Sequence, residues 1–181
     1  MDDFELEFVI PCFNEEQNLF KLFREIEMVV DQDVGFILVN NGSTDSSSEL
    51  LSSFCLSYAG RNCKLLNLEE NVGYGGGIKA GLRLASARNL GWLHADLQVG
   101  IPAALDVAKL LKGIDSGVAK GARPASSRAI VERVFTTGLE ICSRIVAGCR
   151  VRDANGQPKV FTADLLPLVL KGPDNFTLDT Y

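Results

Sequence analysis

The stretch Trp92-Leu93-His94-Ala95-Asp96-Leu97-Gln98 combines the signals of a buried strand and of a polar site, and the predicted fold is built outward from it. The stretch begins with two apolar residues, and three polar side chains then follow at alternate positions. Because alternate residues of an extended chain point to the same face, we expect His94, Asp96 and Gln98 to lie together. The simpler alternative is a strand that leaves the core, so that its polar residues meet water.

Apolar runs and helical spacings alternate along the rest of the chain. Besides the stretch above, short apolar strands are predicted at residues 6–10, 35–39, 63–68, 118–120 and 160–162. Helices are predicted at residues 15–30, from 46, from 77, 102–111, 129–146 and 164–170. We expect Pro11 to end the first strand, Asn14 to cap the first helix, and Ser46 with Glu49 to form a capping box at the second.

Strands that alternate with helices in this way indicate an α/β fold, in which a mostly parallel sheet is flanked by helices on both faces. In such sheets ligands bind beyond the carboxyl ends of the strands. The loops at these ends are polar or glycine-rich, and they comprise residues 11–15, 40–45, 71–77 and 94–98. The sequence therefore predicts that four loops line one crevice.

Length, charge and cysteine content exclude several classes of protein. The 181 residues fit a single domain with a full core, and no apolar run approaches the roughly 20 residues that span a bilayer. The net charge of −5 argues against general nucleic-acid binding. Five cysteines without a Cys-x-x-Cys pair indicate neither a zinc site nor a disulfide framework. With an acidic N-terminus that does not resemble a signal peptide, we expect a cytoplasmic chain, able to associate with the inner face of a membrane.

A basic cluster lies in the second half of this acidic chain. Its seven members, six of them arginine, are Lys120, Arg123, Arg128, Arg133, Arg144, Arg150 and Arg152. Arginine suits forked contacts with phosphate, so an anionic ligand is one interpretation. A solvated basic face is the other.

The glycine loop at residues 73–77 allows two interpretations. Gly75-x-Gly77-x-x-Ala80 matches the loose dinucleotide fingerprint, so an NAD(P)-binding oxidoreductase is an alternative function. The loop is several residues away from its strand, however, whereas the fingerprint requires a tight turn directly after the strand. Glycines that allow a helix to pack closely on the sheet explain the pattern without a ligand.

The stretch at residues 92–98 also contains candidate metal ligands. The carboxylate of Asp96 suits a hard cation such as Mg²⁺ or Mn²⁺, and Gln98 offers an amide oxygen. His94, the only histidine, is a third candidate. So few ligands hold such an ion weakly, and we expect it to arrive together with a diphosphate.

Four motifs, in order, resemble those of the family 2 glycosyltransferases, and within them the dolichol-phosphate mannosyltransferase-like group. They are Val9-Ile10-Pro11-Cys12-Phe13-Asn14-Glu15-Glu16, Val39-Asn40-Asn41-Gly42-Ser43-Thr44-Asp45, Asn71-Val72-Gly73-Tyr74-Gly75 and Ala95-Asp96-Leu97-Gln98. A later part is similar more loosely, at residues 121–123, at Arg133 with Thr137, and at residues 153–161. The resemblance implies a GT-A fold, a nucleotide-diphosphate sugar donor, a divalent cation and inversion at the anomeric carbon.

The resemblance also implies roles for individual residues. Those expected to bind the nucleotide sugar are Pro11, Asn14, Glu15, Asn40, Asn41, Ser43, Asn71, Gly73, Gly77, Lys79 and Ala95. Asn40 and Asn41 occupy the pair often written Asp-Asp in the family. Asparagine can still form hydrogen bonds to a nucleotide, but the preferred nucleotide base is left undetermined. Asp96 matches the metal-binding aspartate and Gln98 its follower. His94 stands where many relatives have the first aspartate of an Asp-x-Asp motif, so we expect weaker metal binding or a changed metal preference.

The implied reaction is an inverting, metal-assisted sugar transfer to a polyprenyl phosphate or glycan acceptor, with Asp96, Arg123 and Arg133 as catalytic residues. A hydroxyl acceptor would require a general base, for which Asp153 and Asp179 are the acids best placed; a loop cap and a helix cap are their alternative roles. We expect residues 1–100 to form the nucleotide-binding half and residues 101–181 an acceptor-side half that is incomplete at its C-terminus. The third alternative is a catalytically weakened, glycosyltransferase-like nucleotide-binding domain.

Overall fold

The computed structural model describes residues 4–29, 32–58, 62–121 and 156–181. The strands of this part are β1 (Leu6–Cys12), β2 (Val34–Asn41), β3 (Cys63–Leu68), β4 (Asn89–Trp92), β5 (Val118–Lys120) and β6 (Lys159–Thr162). The α-helices are α1 (Glu16–Glu27), α2 (Ser47–Ser57), α3 (Tyr74–Leu82), α4 (Ile101–Ala108) and α5 (Leu166–Val169). Short 3₁₀ helices occupy Lys109–Leu111, Ala163–Leu165 and Phe176–Thr180. None of the helices described is long and apolar enough to cross a membrane.

The strands form one sheet in the order β3-β2-β1-β4-β6-β5. The first four run parallel, whereas β6 is antiparallel to both of its neighbours, β4 and β5. Parallel neighbours need a crossover connection, and helices α1, α2 and α3 lie in the connections between β1, β2, β3 and β4. The predicted mostly parallel sheet is confirmed.

Side chains on the two faces of the sheet enter two separate cores. Phe8 and Ile10 of β1 pack in the core that contains residues of α1, α2 and α4. Val9, between them, packs in the other core, with Ile78 and Leu82 of α3. Alternation along a strand sends successive side chains to opposite faces, so a β1 that is apolar on both faces requires helices on both.

Strand β1 does not end at Pro11, as the sequence predicted, but continues to Cys12 with Pro11 opposite Val39 of β2. Proline interrupts a ladder only where its missing N–H is needed. The carbonyl oxygen of Val9 accepts from Leu93 N, so the backbone of Pro11, two residues later, points to the same side. Because β4 ends at Trp92, no strand in the described part requires a donor there.

The predicted strand at residues 92–98 is wrong in its extent, because β4 ends at Trp92. The chain turns after it: Leu97 N donates to the carbonyl oxygen of His94 at 3.1 Å, and Leu97 has φ of 49°. His94, Asp96 and Gln98 therefore do not share one face of a strand.

The predicted caps of the first two helices are also wrong, because the two helix starts bind each other. Asn14 has φ of 55° and its Oδ1 accepts from Thr44 N at 2.8 Å, while Ser46 makes no side-chain cap bond. The N–H of Glu15 instead donates to Ser47 Oγ at 2.9 Å. Local capping patterns were overridden by partners some thirty residues away in the chain.

Helix α3 begins at Tyr74, inside the predicted glycine loop, so glycines 75–77 are helical. A side chain at Gly81 of this helix would overlap Val9 Cγ1 and lie 2.9 Å from Val39 Cγ2. Gly81 thus lets α3 pack directly on β1 and β2. The helix predicted at residues 129–146 lies outside the described residues.

Candidate functional site

A cavity of about 330 Å³ opens beyond the carboxyl ends of β1, β2 and β4. Its walls are Pro11, Cys12, Phe13, Glu15, Asn41, Asn71, Gly73, Tyr74, His94, Ala95, Asp96 and Phe176. We call it the first cavity. The structure brings eight of the predicted site residues together here: Pro11, Glu15, Asn41, Asn71, Gly73, His94, Ala95 and Asp96.

Three other predicted site residues, Asn14, Asn40 and Ser43, are not among the walls of this cavity. Asn40 is buried, donates to Asn67 Oδ1 at 3.1 Å and accepts from Ser43 N at 3.1 Å. Ser43 in turn accepts from Asn14 N at 3.2 Å. These residues shape the loop at 40–45. Arg123, Arg133, Thr137 and Asp153 lie outside the described residues.

Asn41 connects the end of β2 to the loop after β3. Its Nδ2 donates to Asn71 Oδ1 at 3.2 Å and to the carbonyl oxygen of Gly73 at 3.0 Å. Its Oδ1 accepts from Val72 N at 3.1 Å. A side-chain amide can donate to the two oxygen acceptors and accept from the backbone N–H, whereas a carboxylate has no donor for those two oxygens. This network explains why asparagine suits position 41.

We therefore expect Asn41→Asp to lower the free energy of unfolding by about 1–3 kcal/mol, because two oxygen acceptors lose their donor. Urea unfolding measures this loss. Asn67→Asp is the matched control, since Asn67 uses only an acceptor oxygen in its bond with Asn40. Equal destabilisation by the two substitutions would show that the donors of Asn41 are not what matters.

Three stacked rings separate the first cavity from a second one. Tyr74 lies between His94 and Phe176, with ring centroids 4.9 Å and 4.6 Å away and both interplanar angles 14°. The Tyr74 hydroxyl shares a 2.9 Å hydrogen bond with His94 Nε2. Burial, and then the negative charge of Asp179, raise the pKa of Tyr74 far above its usual value, so this hydroxyl stays protonated.

The second cavity, of about 340 Å³, is lined by Leu93, His94, Gln98, Val99, Gln157, Phe176 and Asp179. Asp179 Oδ1 accepts from Trp92 Nε1 and Gln157 Nε2, each at 3.0 Å, and lies 3.1 Å from Lys159 Nζ. Its Oδ2 is 3.9 Å from His94 Nε2. The alternative role of Asp179 as a helix cap is wrong, because Asn175 caps the 3₁₀ helix there by accepting from Thr177 N.

Sequence reasoning did not select Tyr74, Phe176, Cys12 or Phe13 as site residues. Tyr74 stood inside a quoted motif, and its signal was an aromatic ring at the start of a glycine helix. Phe176 gave no signal, because it reaches the site from the far end of the chain. Burial raises the pKa of the Cys12 thiol, so this wall residue is an uncharged thiol.

The donors at the first cavity fit a hard divalent cation that keeps other ligands. Asp96 supplies a carboxylate, which accepts from Gln98 N at 3.2 Å and Gln98 Nε2 at 3.0 Å, and His94 supplies an imidazole. Among the described residues, no three His, Cys, Asp or Glu side chains cluster as a complete metal site. Mg²⁺ and Mn²⁺ commonly keep water and substrate phosphate oxygens, so one carboxylate with one further donor suits them.

Comparison with known proteins connects this geometry to a family. The family model "Glycosyl transferase family 2" matches residues 7–156. The dolichyl-phosphate beta-glucosyltransferase of Drosophila melanogaster is 25% identical over an alignment 177 residues long; the match covers 87% of this chain and 54% of that protein. The chain thus spans about half the length of this curated relative.

Two solved structures share the fold. Glucosyl-3-phosphoglycerate synthase from Mycobacterium tuberculosis, in complex with Mn²⁺, UDP-glucose and phosphoglyceric acid, has a TM-score of 0.71 at 19% identity, covering 97% of this chain and 62% of that one. The mannosyltransferase PcManGT from Pyrobaculum calidifontis, in complex with GDP-Man and Mn²⁺, has a TM-score of 0.68 at 17% identity, covering 97% and 51%. The predicted GT-A fold is confirmed.

Proposed function

Because the chain belongs to glycosyl transferase family 2, we propose that it transfers a hexose from a nucleotide-diphosphate sugar to a polyprenyl phosphate such as dolichyl phosphate. The observation that carries this proposal is the meeting of eight predicted site residues around the first cavity. A relative that acts on dolichyl phosphate supports the acceptor. A glycan acceptor is the second candidate named by the sequence.

The first cavity is the proposed donor site. Its volume falls in the range of small-molecule sites, and its polar groups converge from the end of β2 and from the loops after β1, β3 and β4. In the proposal, Pro11, Glu15 and Asn41 surround the nucleoside, and Gly73 and Asp96 lie beside the diphosphate. The basic cluster at residues 120–152 is proposed to bind the acceptor phosphate, with Arg123 and Arg133 as its main contacts.

In the proposed reaction, an oxygen of the acceptor phosphate attacks the anomeric carbon while the bond from that carbon to the diphosphate breaks. Attack opposite the leaving group inverts the configuration. A phosphate oxygen is already nucleophilic, so no general base is required. Asp96, with His94 beside it, would hold Mg²⁺ or Mn²⁺, which when bound supplies positive charge to the departing diphosphate.

The nicotinamide-dependent alternative is not favoured. A dinucleotide fingerprint uses the first N–H groups of its helix to bind pyrophosphate. In α3, the N–H of Gly76, one of the first N–H groups of the helix, donates instead to the carbonyl oxygen of Asp174 at 3.0 Å. The glycines serve contacts within the chain.

Calorimetry with UDP, GDP, CDP and TDP, each with Mn²⁺ and again with EDTA, tests the proposed donor site. We expect one nucleotide to bind well, and at least about 10-fold more tightly when Mn²⁺ is present. Equal affinity with EDTA would remove the metal from the proposal. Binding of nicotinamide dinucleotides, with no binding of the nucleoside diphosphates, would overturn the proposal as a whole.

A further inference from the structure

A C-terminal segment lies across the glycine helix, and we call residues 172–179 the strap. The N–H of Gly76 in α3 donates to the carbonyl oxygen of Asp174 at 3.0 Å. A side chain at Gly75 would overlap the carbonyl oxygen of Pro173, and one at Gly73 would lie 2.5 Å from that of Asp174. The glycines at positions 73 and 75 thus leave the space that the strap backbone fills.

Lys79 of α3 binds the same segment. Its side chain is 9% exposed, and its Nζ donates to the carbonyl oxygen of Gly172 and pairs with Asp174 Oδ1, both at 2.6 Å. Removing a lysine from water costs free energy unless its charge is paired and hydrogen-bonded. The strap supplies both partners. Lys79 is not among the walls of either cavity described above.

The strap carries two residues to the boundary between the cavities. Phe176, at its middle, stacks on Tyr74 and lines both cavities. Asp179, at its end, accepts from Trp92 Nε1 and faces His94. These contacts join the strap to the residues that follow β4. Displacement of the strap would therefore remove a wall from both cavities.

We infer that Lys79 is a positioning residue, which holds the strap on α3 so that Phe176 and Asp179 stand where the two cavities meet. The consequence for catalysis rests on the proposed function. Pro11, Glu15 and Asn41 do not belong to the strap, so a nucleotide can still bind when the strap is loose. The main loss then falls on the transfer step, because the reacting groups need a fixed geometry.

The test uses Lys79→Met, which keeps an unbranched apolar chain and removes the charge, with Lys171→Met as the matched control. Lys171 is an exposed lysine directly before the strap. Trp92 is the only tryptophan of the chain and is 4% exposed, so its fluorescence reports the strap directly. We expect red-shifted emission and stronger quenching by acrylamide in Lys79→Met, and no change in Lys171→Met.

Kinetics separate positioning from general destabilisation. With UDP-glucose and dolichyl phosphate, we expect kcat of Lys79→Met to fall about 10-fold or more, while nucleotide affinity changes less than about 3-fold. Lys79→Arg, which keeps the charge, should recover part of the loss. Equal losses in kcat and nucleotide affinity would overturn the inference.

Gly75→Ala provides a second variant if Lys79→Met does not fold. Alanine favours a helix over glycine, yet its methyl group would displace the strap at Pro173. It should therefore change the Trp92 emission in the same direction. Emission like that of the unaltered chain in both variants would show that the strap does not depend on these contacts. This readout needs no activity, so it stays decisive even if the proposed function fails.

Discussion

Asp96→Asn is expected to lower kcat for sugar transfer by about 100-fold or more, and to abolish the effect of Mn²⁺ on nucleotide affinity. Asp96 and Glu15 are the two carboxylates on the described walls of the first cavity, and Asp96 is the proposed ligand of the cation. A metal that neutralises a departing diphosphate contributes several kcal/mol to the transition state. An amide in place of the carboxylate loses the negative charge that attracts the ion.

Asp106→Asn is the matched control for this experiment. Asp106 is an exposed carboxylate of α4, paired with Lys109 at 2.7 Å, and it lines neither cavity. Initial-rate assays with saturating donor give kcat, and calorimetry with Mn²⁺ or EDTA gives the affinity for the nucleotide. If Asp96→Asn keeps a metal-dependent affinity like that of Asp106→Asn, then Asp96 is not the metal residue.

The largest expected loss of stability is at Glu7, a buried carboxylate and the second residue of β1. Only 1% of Glu7 is exposed, and its Oε2 accepts from Ser86 N at 2.5 Å and Ala87 N at 2.9 Å. Its Oε1 pairs with Lys64 Nζ at 2.8 Å. We expect Glu7→Leu to lower the free energy of unfolding by about 3 kcal/mol, because two backbone N–H groups lose their acceptor.

Urea unfolding measures the effect of Glu7→Leu, and Glu27→Leu serves as its control. Glu27 ends α1 with its side chain exposed, so the same substitution there should change stability by less than about 0.5 kcal/mol. A loss of similar size in both variants would show that burial of Glu7 and its backbone donors is not the cause.

Strands with sharp boundaries were predictable from the sequence. The bounds of β3 and β5 match the predicted residues 63–68 and 118–120, because short segments with apolar residues there are bounded by polar residues or glycine. The stretch at 92–98 misled, since alternating polar residues suit both a strand and a turn. The buried contacts of Glu7 were not predictable either, because one acidic residue inside an apolar run does not reveal its hydrogen-bond partners.

The sequence predicted the site residues that belong to local motifs, but not the arrangement of those that a distant segment contributes. The ends of β1 and β2 and the loops that follow β1, β3 and β4 supply the eight predicted wall residues, because the carboxyl ends of parallel strands meet at one edge. Phe176 was not predicted, and Asp179 was named only as a candidate base without its partners, because both come from the strap, whose position depends on contacts with α3. The same contacts explain the glycines that resembled a dinucleotide fingerprint. The spacing of residues within a motif does not predict such contacts between segments that are far apart in the sequence.

The most direct test of the central claim is a transfer assay with dolichyl phosphate and Mn²⁺. UDP-glucose and GDP-mannose, each labelled in the sugar, are incubated with the chain, and the lipid is then extracted into organic solvent. The proposal predicts label in the lipid from one donor, with release of one nucleoside diphosphate per sugar, and none with Asp96→Asn. Label that stays in the aqueous phase with both donors, from a chain that binds a nucleoside diphosphate, would contradict it.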